Sequence, residues 1–543
     1  MRIDHIVRHE GASFTDGAGS VHLWTSGVTA QRLRAAWDQC LVSRGLAESL
    51  TTRAEPANGS VHGVAETYPF LPLDVITQAL GSAARGGRPD TQISESLEAY
   101  ASDARLYRRS YGLFAEIARS WGWVAQPFRL GFMPALLLGA GRHARILAMN
   151  IGEGVSAPIA MAGTNKAFNR DFLAAHGLPV PRGSLVDSPD RAVESARALG
   201  FPVVLKRLVG GNSDGVLVGL RTAAAVRSGA RRLLARDAAI LVEGFVAGTE
   251  LRLHFVAGRL HRVYHAAPHE VTGDGRRTLG ALIAARHPAY WRAMSAAKVH
   301  RDRLVLALWT CGVRRFADLQ TIVPAKRTVV RASAATGSGM ALVDAKEFFR
   351  VSEVQRLERF LERHGSPSCG MDVIVSTPRV PLEEGTCILE LNVPCGFGYL
   401  DDPTRVAAFE LQEAVRGDRA FQRQKGRVPV WLVLEEQAQE ATVWRRVRAA
   451  FGRHHPHGVT RVVRGRRAAW TALLNVPEAD ALLIRLSADA ILEHGIPANL
   501  APRLMFNGSV SAFRRAFPIA CRTAAHAGGR LVAIGNPTLS RAT

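Results

Sequence analysis

The chain has 543 residues, enough for about three to four domains with sizeable buried cores. With 47% hydrophobic and 21% charged residues, its composition excludes wholesale disorder and a coiled-coil rod. Lys and Arg outnumber Asp and Glu by 69 to 47, a net charge of +22 that invites an anionic partner, yet six lysines are all the chain contains.

That scarcity makes each lysine informative, because a compact ammonium was kept where guanidinium dominates. The six cysteines are scattered without a CxxC pair, which argues against a zinc ribbon or a disulfide framework. The first residues lack the apolar run of a signal peptide. The longest apolar stretch, Leu130 to Leu138, is broken by Gly131 and Pro134 and is too short to span a bilayer. A cytoplasmic protein with no membrane partner is the expectation.

Residues 1–150 mix short apolar runs with Gly/Ser/Asp clusters and one helical pattern, Ser94 to Trp121. From about 151 the texture alternates between helix and strand. Lys166 to His176 reads as a helix, Pro189 to Leu199 as another, and Phe201 to Lys206 as a short buried strand. Gln422 to Arg427 reads as a basic connector. Residues 428–543 hold apolar strands at Val428 to Leu434, Leu482 to Leu486 and Leu531 to Ile534, with two amphipathic helices. The expected domains are therefore 1–150, 151–425 and a small α/β domain at 428–543.

Three segments carry chemistry. Lys206 ends its strand and is followed by Gly210, Gly211, Asn212, Ser213 and Gly215, a loop that suits either a phosphate cradle or a plain turn. Next, Ile240 to Glu243 ends in an acid and runs through Gly244, Phe245 and Val246 to Glu250. This segment fits either a purine pocket or an edge strand with solvated carboxylates. Last, Gly370 to Val375 carries Asp372, and Cys387 to Asn392 ends in Glu390-Leu391-Asn392. Period-two alternation puts Glu390 and Asn392 on one face, beside which Asp372 completes an oxygen-donor set suited to Mg²⁺.

In this order the segments resemble the ATP-grasp superfamily, and in detail the ATP-grasp region of cyanophycin synthetases. The resemblance covers roughly residues 135–415. It begins at Leu138-Gly139-Ala140-Gly141-Arg142-His143, passes through Thr164 to Leu173 and Leu178-Pro179-Val180-Pro181, and includes Val271 to Gly275, Val329 to Ala341 and Pro381 to Glu384. It implies a mixed α/β (α+β) fold, an ATP-grasp core flanked by an N-terminal and a small C-terminal α/β domain.

The resemblance further implies that Lys166 and Lys206 contact ATP phosphates and that Gly210 to Gly215 form the flap. Glu243, Gly244, Phe245 and Val246 would line the adenine, and Glu250 the ribose. Asp372, Glu390 and Asn392 would hold Mg²⁺, and Arg331 would contact a phosphate or acyl phosphate. Asp214, Ala334 and the order Val393-Pro394-Cys395-Gly396 depart from the family pattern and bear on the substrate rather than on the nucleotide. The cyanophycin synthetases also carry a Mur-ligase-like ATPase with a GxxxxGK[ST] loop. No lysine occurs in residues 428–543, which excludes such a loop there.

The activity implied is ATP-dependent carboxylate–amine ligation, with small-molecule or peptide carboxylates and amines as partners, ATP and Mg²⁺ as cofactors, and a homo-oligomer left open. The alternative is a nucleic-acid or polyanion-binding protein built on a structural ATP-grasp core. Aromatics at 7% and charge spread along the chain disfavour it. His143, His254, His265 and His269 read as packed residues before acid–base groups, and Cys395 as a packed small residue before a nucleophile.

Overall fold

The structure is a computed structural model. It describes residues 2–9, 20–44, 46–47, 49–55, 60–66, 73–84, 92–98, 112–130, 133–148, 151–210, 215–266, 269–296, 301, 304–305, 307–332, 340–365, 368–393, 395, 400, 402–434, 441–462, 474–486, 503–507, 511, 514, 517, 521 and 530–534. The chain forms two compact units, one of residues 154–401 and one assembled from 1–153 and 402–543.

In the second of these units, β1 (Arg2–His9), β2 (Ser20–Ser26), β3 (Thr51–Glu55) and β4 (Ser60–Glu66) pair antiparallel in the order β1-β2-β4-β3. The helix Ala30–Cys40 starts where Thr29 accepts a hydrogen bond from the Arg32 N–H, and it buries Leu33 and Trp37 in the core of this sheet. Of the helical pattern expected over Ser94 to Trp121, residues 92–98 and Leu113–Ser120 are helical, and 99–111 lie outside the described residues. β5 (Ala125–Leu130), β6 (Met133–Leu138) and β7 (Arg145–Ala148) make a small antiparallel sheet.

In the unit of residues 154–401, β8 (Gly183–Val186), β9 (Val203–Arg207), β10 (Val216–Leu220) and β11 (Ile240–Gly244) form an antiparallel sheet ordered β10-β9-β11-β8. Helices Pro189–Leu199, capped by Ser188, and Ala223–Leu234, capped by Thr222, cover one face. Val203, Leu205, Ile240 and Val242 pack under them, so alternation turns Val204, Lys206, Leu241 and Glu243 to the opposite face. Next come β12 (Thr249–Val256), β13 (Arg259–Ala266), β14 (His269–Thr272), β15 (Val329–Ala332), β16 (Met340–Val343), β17 (Ser368–Val375) and β18 (Thr386–Asn392). β16-β13-β12-β17-β18 form a second antiparallel sheet, and β14 pairs with β15 as a two-stranded ribbon.

The last strands, β19 (Val430–Leu434), β20 (Val459–Val462), β21 (Leu482–Leu486), β22 (Arg503–Asn507) and β23 (Arg530–Ile534), form a parallel sheet ordered β20-β21-β19-β22-β23. All five residues of β19 are buried, as a sheet covered on both faces requires. Trp431 and Val433 pack against Val443, Val447 and Phe451 of the helix Ala441–His454. On the other face Val430, Leu432 and Leu434 share a core with Val124, Leu137, Ala140 and Ala144.

The sequence-based boundaries at 150 and 425 therefore differ from the compact units. The parallel sheet has a second apolar face, and residues 124–144 cover it. The expected connector Gln422 to Arg427 instead begins inside the helix Arg419–Gln424 and turns at Lys425, whose φ of 55° ends that helix. Leu432 is fully buried in this shared core, and Leu432→Ala is expected to lower stability by about 2–5 kcal/mol in urea unfolding. Among the described residues no helix is long and apolar enough to cross a membrane.

Candidate active site

Lys206 and Glu243 meet on the face of their sheet that the helices leave uncovered. Lys206 Nζ lies 2.6 Å from Glu243 Oε2, and the two side chains are 11% and 3% exposed. In a pair this deep each charge offsets part of the other's desolvation, and either one left alone would be costly. Beyond Glu243 the chain is pinned by its backbone: the Gly244 N–H donates to the Arg182 carbonyl (2.9 Å) and the Phe245 N–H to the Pro202 carbonyl (3.1 Å). Phe245 and Val246 follow directly, with the Phe245 ring partly exposed.

Lys166 opens the helix Lys166–Ala175. Asn165 caps that helix, its side chain accepting from the Ala167 and Phe168 N–H groups. The Lys166 N–H donates to the Leu208 carbonyl (2.8 Å), which ties the helix start to the chain just past β9. Its ammonium pairs with Glu390 on β18. The buried Asn169 holds the same helix to that strand, donating from Nδ2 to the carbonyls of Ala162 (2.8 Å) and Leu391 (2.6 Å) and accepting the Leu391 N–H at Oδ1 (3.1 Å). Asn169→Ala would strand three buried backbone groups, at about 1–3 kcal/mol each for those that water does not reach. We expect a clear drop in melting temperature and weaker nucleotide binding, read by thermal unfolding and calorimetry.

Across β12, β17 and β18 the register places Arg252 opposite Asp372, and Asp372 opposite Glu390. Arg252 Nε lies 2.7 Å from Asp372 Oδ1, and Asn392 Nδ2 donates to Asp372 Oδ2 at 3.0 Å. Burial raises the Asp372 pKa, with Glu390 adding to the rise while Arg252, Asn392 and Lys166 oppose it. Glu250, two residues before Arg252, is open to water on one side and enclosed by protein on the others. That enclosure raises its pKa, the charge of Asp372 adds to the rise, and Arg252, Lys206 and Arg331 pull the other way. The Cys387 thiol on β18 is pushed up to about 12 by burial, with Glu243 next in effect and Lys206 opposing. Groups on the first sheet are thus felt on the second.

Seven of the residues expected from the sequence come together here: Lys166, Lys206, Glu243, Glu250, Asp372, Glu390 and Asn392. Gly211, Asn212 and Ser213 lie outside the described residues, as does Asp214. Gly210 and Gly215 flank them with φ of 129° and 72°, values that suit glycine. Arg331 sits on the β14–β15 ribbon, largely exposed, with its Nε 2.5 Å from Glu270 Oε1, and its charge reaches Glu250.

The histidines divide. His143 belongs to the other unit, where its Nε2 lies 2.7 Å from Gln424 Oε1. His254 is buried with Nδ1 3.6 Å from Cys395 Sγ, and His269 stacks on Tyr290 with ring centres 4.0 Å apart. Arg252, Asn169 and Glu270 were not singled out from the sequence as contributors to the site. The alternation Glu250-Leu251-Arg252 was the one available sign of Arg252, since it puts that guanidinium on the face of Glu250.

A pH-sensitive joint lies at the far end of the helix Lys166–Ala175. His176 Nδ1 donates to the Phe172 carbonyl (2.8 Å), so in the neutral ring Nε2 accepts. His364 Nε2, 3.1 Å away, then donates, and its Nδ1, 3.1 Å from Ser156 Oγ, accepts the hydroxyl proton. Protonating His364 would add an N–H at Nδ1 facing the Ser156 hydroxyl, which would have to give up its own donation to the ring. The His364 pKa is lowered by burial first, then by His176 and Arg363. A histidine with a lowered folded-state pKa gives stability that is complete above about pH 6.5 and is lost as pH falls toward the folded value. Melting temperature should therefore fall between about pH 7 and 5, and His364→Gln should flatten that slope in a thermal-unfolding series.

Residues 164–250 match the ATP-grasp domain family, and the unit of residues 154–401 contains an ATP-grasp region. Among curated proteins, the cyanophycin synthetase of Trichormus variabilis is 27% identical over 279 residues, 49% of this chain and 30% of that protein. The glutathione biosynthesis bifunctional protein of Streptococcus mutans is 27% identical over 249 residues, 43% of this chain and 32% of that protein. The chain thus spans less than a third of the length of these relatives. Among solved structures, a bifunctional glutathione synthetase from Pasteurella multocida aligns with a TM-score of 0.31 at 18% identity, covering 62% of this chain and 49% of that one.

Proposed function

We propose that the protein is an ATP-dependent carboxylate–amine ligase that forms an amide or peptide bond between amino acid or peptide substrates through an acyl phosphate. The observation that carries this reading is the convergence of two lysines and four acids, each from a different segment: Lys206 pairs with Glu243, Lys166 with Glu390, Glu390 lies opposite Asp372, and Glu250 feels the charges of Asp372 and Lys206. The similarity to a cyanophycin synthetase agrees with it.

In this reading Lys206 and Lys166 bind the nucleotide phosphates, with Gly210, Gly211, Asn212, Ser213 and Gly215 closing over them. Glu243 to Val246 line the adenine, and Glu250 accepts from the ribose hydroxyls. Asp372, Glu390 and Asn392 suit Mg²⁺, a hard cation that takes one or two carboxylates and completes its shell with phosphate oxygens. Bound with the nucleotide, the metal supplies charge neutralisation at the transferred phosphoryl group.

The protein's own share is positional and electrostatic. Lys166 and Lys206 now hold Glu390 and Glu243, and they exchange these partners for phosphate oxygens when the nucleotide enters. Arg331 on its ribbon meets the acyl phosphate. The substrate carboxylate attacks the γ-phosphorus and ADP leaves. The amine then attacks the carbonyl carbon, phosphate leaves, and the amine proton passes to water. No protein nucleophile is needed, so Cys395 stays a packed residue.

The test supplies Mg-ATP with pairs of amino-acid or dipeptide carboxylates and amines, and reads ADP, phosphate and product mass. Hydroxylamine should intercept the acyl phosphate as a hydroxamate. Tight ATP binding with no ADP from any pair would overturn the reading.

A further inference from the structure

The unit of residues 1–153 and 402–543 contains a cavity of about 650 Å³, a size that holds small ligands. One wall is the segment that leads into β19 and carries Arg423 and Arg427, and Arg142 faces it from the turn after β6. The loop after the helix Ala441–His454 lends His454, His455 and His457. Asp480 is the acid on this lining, and Arg142 already neutralises it, Nη1 lying 2.5 Å from Oδ1. Arg427 donates from Nη2 to the Gly122 carbonyl (3.2 Å), while its buried Nε meets no acceptor among the described residues. The local sequence agrees: Arg453 to Gly458 holds one arginine, three histidines and no acid.

We propose that this cavity binds a small multivalent oxyanion, a molecule carrying two or more phosphate or carboxylate groups. Guanidinium forks bind such groups in pairs, and this lining sets three guanidinium groups against a single acid. The neighbouring rings Trp431 and Phe451 are 1% and 3% exposed, so they offer no platform for stacking bases, and a nucleic-acid strand is the weaker fit. The inference is independent of the ligase reading.

The test is calorimetric titration of the full chain with tripolyphosphate and, separately, with citrate. Micromolar binding of either supports the site, and the tighter probe identifies the oxyanion. Arg423→Gln with Arg427→Gln should weaken binding by about tenfold or more. Arg445→Gln with Arg446→Gln removes the same charge from the exposed face of the helix and should change it less than about twofold. Asp480→Asn frees Arg142 and should tighten binding severalfold, a gain that misfolding cannot mimic. No binding in the wild type, equal loss in both arginine pairs, or unchanged affinity in Asp480→Asn would overturn the proposal.

Discussion

Lys206→Ala is expected to abolish ATP-dependent ligation and to destabilise the protein together. Glu243 would keep a charge that is 3% exposed with its partner gone, a change that costs about 3–5 kcal/mol in comparable buried pairs. The phosphoryl group would lose a fixed cation on the path of its charge, worth on the order of a hundred- to a thousandfold in rate by analogy with other positioned donors. These two losses separate in the double variant Lys206→Met with Glu243→Gln. That variant removes both charges at similar volume, so its urea midpoint should return near the wild-type value while ADP release stays at background. Full activity in a folded Lys206→Ala protein would remove Lys206 from the reaction.

Asp372→Asn should lower stability, because the buried Arg252 loses its charge partner, and should also shift the magnesium requirement of ADP release upward by on the order of a hundredfold. The substitution keeps volume and can still accept the Asn392 hydrogen bond. It deletes the charge that faces Arg252 and one of the two carboxylates of the metal set, and the amide nitrogen turned toward Arg252 cannot accept from it. The partner substitution Arg252→Ala should act differently. It leaves a recessed carboxylate uncompensated, so it should lower the melting temperature first and activity second. A magnesium titration of the two variants side by side distinguishes a lost ligand from a lost support. Equal magnesium dependence in wild type and Asp372→Asn would exclude Asp372 as a ligand.

Much of this site was legible in the chain because its pieces obey short periods. Lys206 at the end of an apolar run, Glu390-Leu391-Asn392 on one strand, and a helix starting at Lys166 are patterns within five to ten residues, and each segment folds as its pattern demands. The supports were not legible, because they depend on register between distant strands. Nothing local says that Arg252 lies opposite Asp372, that Glu270 lies opposite Arg331, or that Asn169 reaches Leu391. The partition of the chain was obscured for the same reason. The run Val428 to Leu434 announces a buried strand, yet its composition does not say which segment covers its second face.

The shared core of the unit at the two chain ends also has a kinetic side. Val124, Leu137 and Ala144 find their partners Leu432 and Leu482 after residues 154–401 have been synthesised. During translation the ATP-grasp region is able to close first, while an apolar strip at 124–144 waits for the end of the chain. Contacts of such long range form slowly, and the waiting surface is the place where a chaperone would act and where aggregation would begin. A chain stopped near residue 425 would accordingly lose more than its tail, because an early segment would be left with nothing to bury it.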